Sequence, residues 1–325
     1  MAHSHDVVGI DVSKGNLDVY VLVHQQLRTV TNTAAKHAEL ASWLKSLGVR
    51  VAVMEASGGY EQAVAGALRR AGFEVRVVDP KRVRHFAKAA GRLAKNDRID
   101  ARMIAEFGAV FAVVEQCEVP TDPAREHLAS LVGARQALIE HETGLRNQIS
   151  AAPAGAARLA LAAVLKPIAG AIKKLDRLIA ATIAAHPPFA ALAARLDTVP
   201  GLGPVAIAGL IAWLPELGRL DRRALAALVG VAPFDDDSGK RTGRRSIQGG
   251  RRKLRNIVYM AGMGAATRHN PVLNAYYTAL INRGKLPKVA IVACLRKLLT
   301  MVNAMVAQQK DWEPRLATGP SACAV

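Results

Sequence analysis

The chain has 325 residues, of which 51% are hydrophobic, so it is long enough to form two or three domains with buried cores. Its 44 Lys and Arg residues exceed its 26 Asp and Glu residues, which gives a formal net charge of +18. Because a field of this sign attracts polyanions, nucleic acid is the expected partner, and a small-molecule enzyme is a poorer fit.

The hydropathy pattern predicts no membrane partner. The longest uncharged apolar segments, such as residues 199–215, contain prolines and are shorter than the roughly 20 apolar residues of a membrane span. The N-terminal residues lead directly into a strand pattern, which argues against a secretory leader. Cys117, Cys294 and Cys323 lack the spacing of a disulfide framework or a metal site. These features predict a cytoplasmic protein.

Four acidic residues of the first hundred form a candidate metal site. Strand-like and helical patterns alternate over residues 7–107, which predicts an α/β domain. Asp11 and Glu55 each end a strand pattern, so both could project from one edge of one sheet. Asp97 and Asp100 are three residues apart and would share a helix face. Four converging carboxylates repel one another unless a cation lies between them, and hard oxygen ligands favour Mg²⁺ or Mn²⁺.

The same acids also have structural explanations. Asp11 and Glu55 could be solvated strand ends, and Asp97 could cap a helix whose first turn also favours the negative charge of Asp100. Periodicity alone does not bring the three segments together in space.

The middle of the chain, about residues 122–185, has an alanine-rich helical pattern. Leu131, Leu138 and Leu145 are seven residues apart. A second apolar series steps by four and three residues, through Leu161, Leu165, Ile168, Ile172, Leu175 and Ile179. Such a narrow seam is typical of a coiled coil, and the break at Pro153–Gly155 predicts the bend of a helical hairpin. We interpret it as a hairpin that dimerises two chains; a seam buried within one globular helical domain is the alternative.

From about residue 196 a basic helical domain begins. Pro200, Gly201 and Gly203 predict a tight turn between apolar helical segments, as in helix-hairpin-helix units, where exposed backbone N–H groups hold a phosphate without reading sequence. An ordinary helix-capping turn is the alternative.

A strongly basic segment follows Ser238. Residues 240–255 contain eight cations and no carboxylate. The cations are Lys240, Arg241, Arg244, Arg245, Arg251, Arg252, Lys253 and Arg255. Arginine forks bind phosphates bidentately, so Ser238 is a candidate nucleophile beside a phosphate-binding surface. A polar turn followed by a disordered basic loop is the alternative.

Two features bear on the choice of this serine. Asp235 to Asp237 put negative charge directly ahead of Ser238, where a phosphate would approach. Ser246 is a rival hydroxyl within the same run, and Ser13 and Ser57, beside the strand-end acids, are more distant rivals.

Six blocks in this order resemble one known family. They are VVGIDVSKGNLDVYVL, VMEASGGYE, VVDPKRVRHFAKAAGRLAKNDRIDARMIAEF, TVPGLGPVAIAGLIAWL, LVGVAPFDDDSGKRTGRRSIQGGRRKLRNIVYMA and HNPVLNAYYTALINRGKLPKVAIVACLRKLL. Together they resemble the insertion-sequence transposases of the Piv-related DEDD type, also known as bridge-RNA-guided serine recombinases. The resemblance runs from about residue 7 to residue 310, and the helical middle is its least specific part.

The resemblance implies an architecture and a site. Residues 1–115 would form an α/β RNase H-like (RuvC-like) domain whose four metal-binding acids are Asp11, Glu55, Asp97 and Asp100. Residues 116–190 would be a helical coiled-coil middle for oligomerisation. Residues 191–312 would be a mainly α transposase domain with a helix-hairpin-helix-like motif and the catalytic Ser238, followed by a tail over residues 313–325.

The resemblance also implies partners and a reaction. The family recombines donor and target DNA with a structured non-coding (bridge) RNA that pairs with both. Its members form tetramers, as a dimer of dimers, in which the acids of one protomer and the serine of another make one active site. Mg²⁺ (or Mn²⁺) is the expected cofactor, and the reaction passes through a covalent phosphoserine link.

Several residues are predicted to contact nucleic acid. They are Gly201, Gly203, Lys240, Arg241, Arg244, Arg245, Arg251, Arg252, Arg255, Lys285, Arg296 and Lys297. Solvated helix faces explain the charges of Lys285, Arg296 and Lys297 almost as well.

Three other functions remain open at this stage. A RuvC-like junction nuclease would use the four acids and water without a covalent step. A non-catalytic nucleic-acid-binding protein would need none of them. The opening GIDVSKGNLDVYVL also resembles the first phosphate hairpin of actin-like sugar kinases, but no second phosphate loop follows.

Overall fold

The computed structural model describes residues 7–91, 97–111, 122–234 and 246–314, and side chains of the fourth helix from Asp100 onward. The chain divides into two compact units, Met1–Gln116 and Cys117–Val325.

The first unit is built on a five-stranded mixed sheet. Its strands are β1 (Val7–Val12), β2 (Asn16–Val21), β3 (Gln26–Thr31), β4 (Val51–Glu55) and β5 (Glu74–Val78). They lie in the order β3-β2-β1-β4-β5. β1, β2 and β3 are antiparallel neighbours, whereas β4 and β5 run parallel to β1. The predicted α/β character of this part is confirmed.

Four helices cover the two faces of this sheet. They are α1 (Ala34–Ser46), α2 (Glu61–Arg70), α3 (Pro80–Ala89) and α4 (Asp97–Val110). α1 and α2 pack on the face that carries Val8 and Ile10. α3 and α4 pack on the opposite face, against Val7 and Val53. Because side chains alternate along a strand, Asp11 belongs to the face of α3 and α4.

Helix α4 lies directly against β1 through two glycines. A Cβ atom on Gly9 would come within 2.2 Å of the carbonyl oxygen of Ala101 and within 2.4 Å of the backbone nitrogen of Ala105. A Cβ atom on Gly108 would come within 2.4 Å of Val53. Later residues of α4 therefore lie over earlier parts of the strands, and the first turn of α4 lies toward their carboxyl ends.

The second unit is mostly helical. Its elements are α5 (Pro123–Ala151), α6 (Ala156–Ala185), α7 (Pro187–Asp197), α8 (Pro204–Trp213), α9 (Arg222–Val229), β6 (Pro233–Phe234), β7 (Ser246–Ile247), α10 (Arg252–Gly264), a π-helical turn (Ala265–His269), α11 (Pro271–Asn282) and α12 (Pro287–Gln308). The expectation of a mostly helical remainder is confirmed.

Helices α5 and α6 form a long hairpin. The turn between them contains the predicted break at Pro153–Gly155. Ile172 and Ile179 of the apolar seam are buried, and the remaining seam residues of α6 are half-buried. The two helices pack against each other along their length. The role of this hairpin in joining two chains stays a prediction.

Helix α12 has the length and composition of a membrane span, a property that the sequence did not suggest. Half of its most apolar window is buried inside the second unit. Cys294, Leu295, Leu298 and Val302 are all at most 1% exposed and belong to the main core. α12 is thus the central helix of that core.

The contact at Gly9 yields a stability prediction. Gly9→Ala should lower the free energy of unfolding by at least about 2 kcal/mol, because the new methyl group meets backbone atoms of α4 that cannot move alone. Gly15→Ala is the matched control, since a Cβ atom there meets nothing within 4 Å. Urea unfolding measures both variants, and equal stability of the two would disprove the close packing of α4 on β1.

Candidate functional site

Asp11 and Glu55 lie side by side at the carboxyl ends of β1 and β4. In the parallel pairing of these strands Ile10 is the partner of Met54, so the next residue of each strand is an acid. Neighbouring strands are about 4.8 Å apart, and both acids are on the face of α3 and α4. Both side chains are half-buried. We call this end of the sheet, with Asp11 and Glu55, the acidic edge.

The first turn of α4 lies toward the same edge. α4 begins at Asp97, and Ala101, one turn later, is the residue whose carbonyl oxygen faces Gly9. Gly9 precedes Asp11 by two residues on the same face of β1. Asp100 is half-buried, whereas the side chain of Asp97 is outside the described part of the structure. The helix turn that carries the other two acids therefore lies toward the end of the sheet where Asp11 and Glu55 are.

Asp18 is an additional carboxylate that the sequence pattern did not indicate. It is the direct cross-strand partner of Asp11 in the antiparallel pair of β1 and β2. Its Oδ1 atom accepts a hydrogen bond of 2.5 Å from the Thr29 hydroxyl. Like charges directly opposite each other in a sheet are unfavourable. Only the pairing register, which the sequence did not give, reveals this neighbour.

The donor chemistry of the acidic edge suits a hard divalent cation. Mg²⁺ is usually bound by one or two carboxylates together with substrate phosphates and water, and Asp11 and Glu55 supply such a pair. Among the side chains that the structure describes, no group of three or more His, Cys, Asp or Glu residues is arranged to hold a metal ion. The metal site therefore stays a prediction.

The loop after Glu55 is organised by Glu61. Oε2 of Glu61 accepts hydrogen bonds from the backbone and hydroxyl of Ser57, at 3.0 and 2.8 Å, and from the backbone of Gly59, at 2.8 Å. Burial alone would raise the pKa of Glu61, but these hydrogen bonds outweigh it and leave the pKa below its ordinary value. Tyr60, in the same loop, is half exposed.

Two of the rival serines have structural partners. The Ser57 hydroxyl donates to Glu61. The Ser13 hydroxyl donates to the Asn16 carbonyl at 2.9 Å and accepts from its backbone nitrogen at 3.0 Å, which closes the turn between β1 and β2. Both hydroxyls thus stabilise turns at the acidic edge.

In the second unit the structure describes both ends of the segment that contains Ser238. Ser238, Lys240, Arg241, Arg244 and Arg245 lie outside the described residues. On either side, β6 pairs with β7 in antiparallel fashion, with Phe234 opposite Ser246. Phe234 and Ser246, the described residues on either side of this segment, are therefore neighbours.

Close backbone contacts lie next to the pair of β6 and β7. Gly230 has a φ of +81° and Gly250 a φ of +68°. A Cβ atom on Gly230 would come within 2.3 Å of the Gly249 carbonyl oxygen. The Arg255 guanidinium donates to the carbonyls of Gly230 and Gly249, at 3.1 and 2.5 Å. Arg255 thus joins the chain before β6 to the chain after β7, and we call this region the loop base.

Arg251 anchors the loop base to α8. Its guanidinium forms two hydrogen bonds with the buried carboxylate of Glu216, at 2.6 and 2.5 Å, and a third with the Trp213 carbonyl at 2.7 Å. Arg251 and Arg255, both predicted to bind phosphate, hence have internal partners. Arg252, between them in sequence, is exposed.

The predicted glycine turn before α8 is explained by packing. Gly201 has a φ of +95°, and a Cβ atom there would come within 2.5 Å of the Ala265 side chain. The fully buried Asn270 donates to the Pro200 carbonyl at 3.3 Å and caps α11 with its side-chain oxygen. Gly203 is exposed at the N-cap of α8.

The remaining predicted contacts are on the surface of α12 and the turn before it. Lys285 and Arg296 are exposed. The Lys297 ammonium lies 4.6 Å from the centre of the Tyr276 ring, a cation–π contact.

Two models of known protein families match segments of this chain. Residues 8–152 match a transposase model of the IS110 type with a DEDD site, and residues 193–278 match the model "Transposase IS116/IS110/IS902 family". The chain belongs to this family of transposases. The acidic edge of the transposase lies within the first match, and Ser238 with the loop base lies within the second.

Curated relatives extend the similarity over nearly the whole transposase. The pilin gene-inverting proteins of Moraxella lacunata and Moraxella bovis are each 24% identical to it over 96% of this chain and 99% of their own. The 44.8 kDa protein of insertion element IS116 from Streptomyces clavuligerus is 32% identical over 37% of this chain and 30% of its own. The transposase is accordingly an enzyme of DNA transposition or recombination.

Replacing Arg251 and replacing Arg252 should have very different effects on the stability of the transposase. Arg251→Ala should lower the free energy of unfolding by about 2 to 4 kcal/mol, because it leaves the Glu216 carboxylate buried without its cation. Arg252→Ala, at an exposed site, should change it by less than about 0.5 kcal/mol. Chemical unfolding of both variants measures the difference, and a stable Arg251→Ala protein would contradict the anchoring role.

Glu61 should make stability depend on acid pH. Since its folded-state pKa is lowered, its contribution is present above the ordinary carboxyl value of 4.5 and is lost as the pH falls through the folded-state pKa. Glu61→Gln should therefore cost about 1 to 3 kcal/mol at pH 7 and progressively less below pH of about 4.5. Unfolding curves of wild type and variant across this range measure the gap, and a gap independent of pH would refute the assignment.

Proposed function

We propose that this transposase cuts and rejoins DNA through a covalent phosphoserine intermediate at Ser238, assisted by a divalent metal held by Asp11, Glu55, Asp97 and Asp100. The observation that carries the proposal is the pairing of Asp11 with Glu55 at neighbouring strand ends, with the first turn of α4 at the same edge. The mixed sheet in the order β3-β2-β1-β4-β5 supports an RNase H-like (RuvC-like) fold for the first unit.

The chemistry requires an activated hydroxyl. A serine hydroxyl is a weak nucleophile at neutral pH and needs help to lose its proton. A bound Mg²⁺ or Mn²⁺ would supply positive charge that lowers this barrier and stabilises the phosphate oxygens. Ser238 is assigned the attack: its oxygen forms a bond to phosphorus, the bond to the 3′ oxygen breaks, and the released 3′ oxygen takes up a proton.

The DNA strand is rejoined by the reverse of this transfer. A 3′-hydroxyl of the new partner strand attacks the phosphoserine, and the bond to Ser238 breaks with return of its proton. Because the phosphodiester energy is kept in the serine link, the cycle needs no nucleotide. The cations of residues 240–245 would offset the charge that builds on the phosphate during each transfer.

The loop base supports a serine presented in one place. Closing a segment at both ends removes conformations before substrate binds, which lowers the entropy cost of correct orientation. The ladder of β6 with β7 and the bonds of Arg255 hold the residues on either side of the segment 235–245, Phe234 and Ser246, next to each other. We assign Arg251 and Arg255 to this support, and Arg252 to contact with the nucleic acid.

The proposal also includes a tetramer of this chain and an RNA that selects the DNA. The acids and Ser238 belong to different units, and we infer that the acids of one protomer act with the serine of another in a tetramer. α6 exposes Leu159 and Val164, which gives the hairpin an apolar surface for joining chains. A structured RNA would supply the choice of donor and target DNA, in agreement with the charge of +18. The relatives' names, gene inversion and insertion elements, support rearrangement of DNA.

A covalent adduct tests the proposal. The protein is incubated with the RNA transcribed from its flanking sequence, donor and target DNA and Mg²⁺, and protein–DNA adducts are separated on a denaturing gel. We expect an adduct with wild type and with Ser246→Ala, and at least about a 100-fold loss with Ser238→Ala and with Asp11→Ala.

The same gel distinguishes the alternatives. Cleavage by Ser238→Ala without an adduct would replace the proposal with a RuvC-like nuclease that uses water. An adduct that mass spectrometry maps to Ser246 or to a tyrosine would show that the nucleophile is wrongly assigned. Binding without cleavage by wild type under all conditions would leave a non-catalytic nucleic-acid-binding protein.

A further inference from the structure

We propose that one exposed face of α3 binds the phosphate backbone of nucleic acid and leads it to the acidic edge. The face consists of Lys81, His85 and Lys88, which are exposed, and Arg84, which is half-buried, and we call it the α3 stripe. The inference rests on the proposed function in one respect, namely that the acidic edge is where a strand is cut.

The spacing of these residues makes a continuous stripe. At 3.6 residues per turn the four positions fall within an arc of about 100° and extend about 10 Å along the helix. Val83 and Ala87 occupy the opposite side and are buried, at 3% and 6% exposure, against α4 and the sheet. The amphipathic packing of α3 therefore fixes which side the stripe presents to solvent.

The stripe begins next to the acidic edge. Val78, the last residue of β5, is the register partner of Glu55. α3 starts two residues after Val78, and its N-cap Asp79 accepts a hydrogen bond from the backbone of Lys81. α3 also packs on the same face of the sheet that carries Asp11 and Glu55. A strand held along the stripe would thus reach the strand-end acids without crossing the sheet.

The cations of the stripe lack the local partners found on other helices. Lys36 pairs with Glu39, Arg102 with Glu106 and Arg146 with Glu142, each at helical spacing. α3 contains no acid, and within the described part of the chain Lys81, Arg84 and Lys88 form no ion pair. No acid in the described ranges therefore competes with an anion from solution for these cations.

The N-terminus of α3 combines one carboxylate with two cations. Its N-cap Asp79 supplies the negative charge that a helix N-terminus favours, whereas Lys81 and Arg82 occupy the first turn. A bound phosphate would add favourable negative charge beside these two cations. The length of about 10 Å matches about three steps of a duplex along its axis, so repeated phosphates fit the stripe better than one isolated anion.

Salt dependence of binding tests the stripe. The full-length double variant Lys81→Gln/Lys88→Gln is compared with Lys45→Gln/Arg70→Gln, which removes the same charge from α1 and α2 on the other face of the sheet. Fluorescence anisotropy gives the dissociation constant for a 30-base-pair duplex of unrelated sequence and for the flanking RNA over a range of KCl concentrations.

The expected result is specific to the stripe variant. Loss of two phosphate contacts should reduce the slope of log affinity against log salt by about 1.8 on duplex DNA and weaken binding about tenfold near 0.1 M salt, while the control stays within about twofold of wild type. An effect on the duplex alone assigns the stripe to DNA, and an effect on the RNA alone assigns it to the guide. Equal effects of both variants, or no effect of either, would overturn the proposal.

The adduct assay on the same preparations keeps the two proposals separate. A changed salt slope in a protein whose wild type forms no Ser238 adduct would contradict the proposed reaction and support the stripe. A Ser238 adduct together with unchanged slopes would contradict the stripe alone.

Discussion

The direct contact of α4 with β1 determines where the acids of this transposase lie. At Gly9 and Gly108 the helix comes so close to the sheet that a single methyl group would not fit. This contact fixes both the height of α4 along the strands and its direction. Together with the register that sets Ile10 opposite Met54, it brings residues that are far apart in sequence to one end of one sheet. A metal site built from carboxylates depends on such a fixed frame, because like charges would otherwise move apart.

The second unit also brings like charges together, in this case cations. The eight Lys and Arg residues of the segment 240–255 repel one another. Arg251 and Arg255 bond inward, to a buried carboxylate and to the backbone carbonyls of Gly230 and Gly249. The neighbouring Arg252 faces solvent. Cations that look equivalent in the sequence therefore differ in their surroundings, since Arg251 and Arg255 have internal partners and Arg252 is exposed.

Part of this could be predicted from the sequence, because it depends on local pattern. Alternation of side chains gives the strands that end at Asp11 and Glu55, and the break at Pro153–Gly155 gives the bend between two helices. The rest depends on pairing between distant residues. Nothing local to Asp11 indicates that Asp18 is its cross-strand partner, and nothing local to Arg251 indicates Glu216. The contact of Gly201 with Ala265 also joins residues that are far apart in sequence. The residues of the α3 stripe are three and four apart, which is a local pattern, but their proximity to the acids follows only from the order of the strands.

The central claim is that the acidic edge of one unit and Ser238 of the other act in one site shared between protomers. Mixing Asp11→Ala chains with Ser238→Ala chains tests it most directly, in the presence of the flanking RNA, both DNAs and Mg²⁺. The account predicts that neither variant alone forms a protein–DNA adduct, and that the mixture forms one on the Asp11→Ala chain, at Ser238. A mixture that exchanges subunits yet forms no adduct, under conditions in which wild type does, would contradict the shared site.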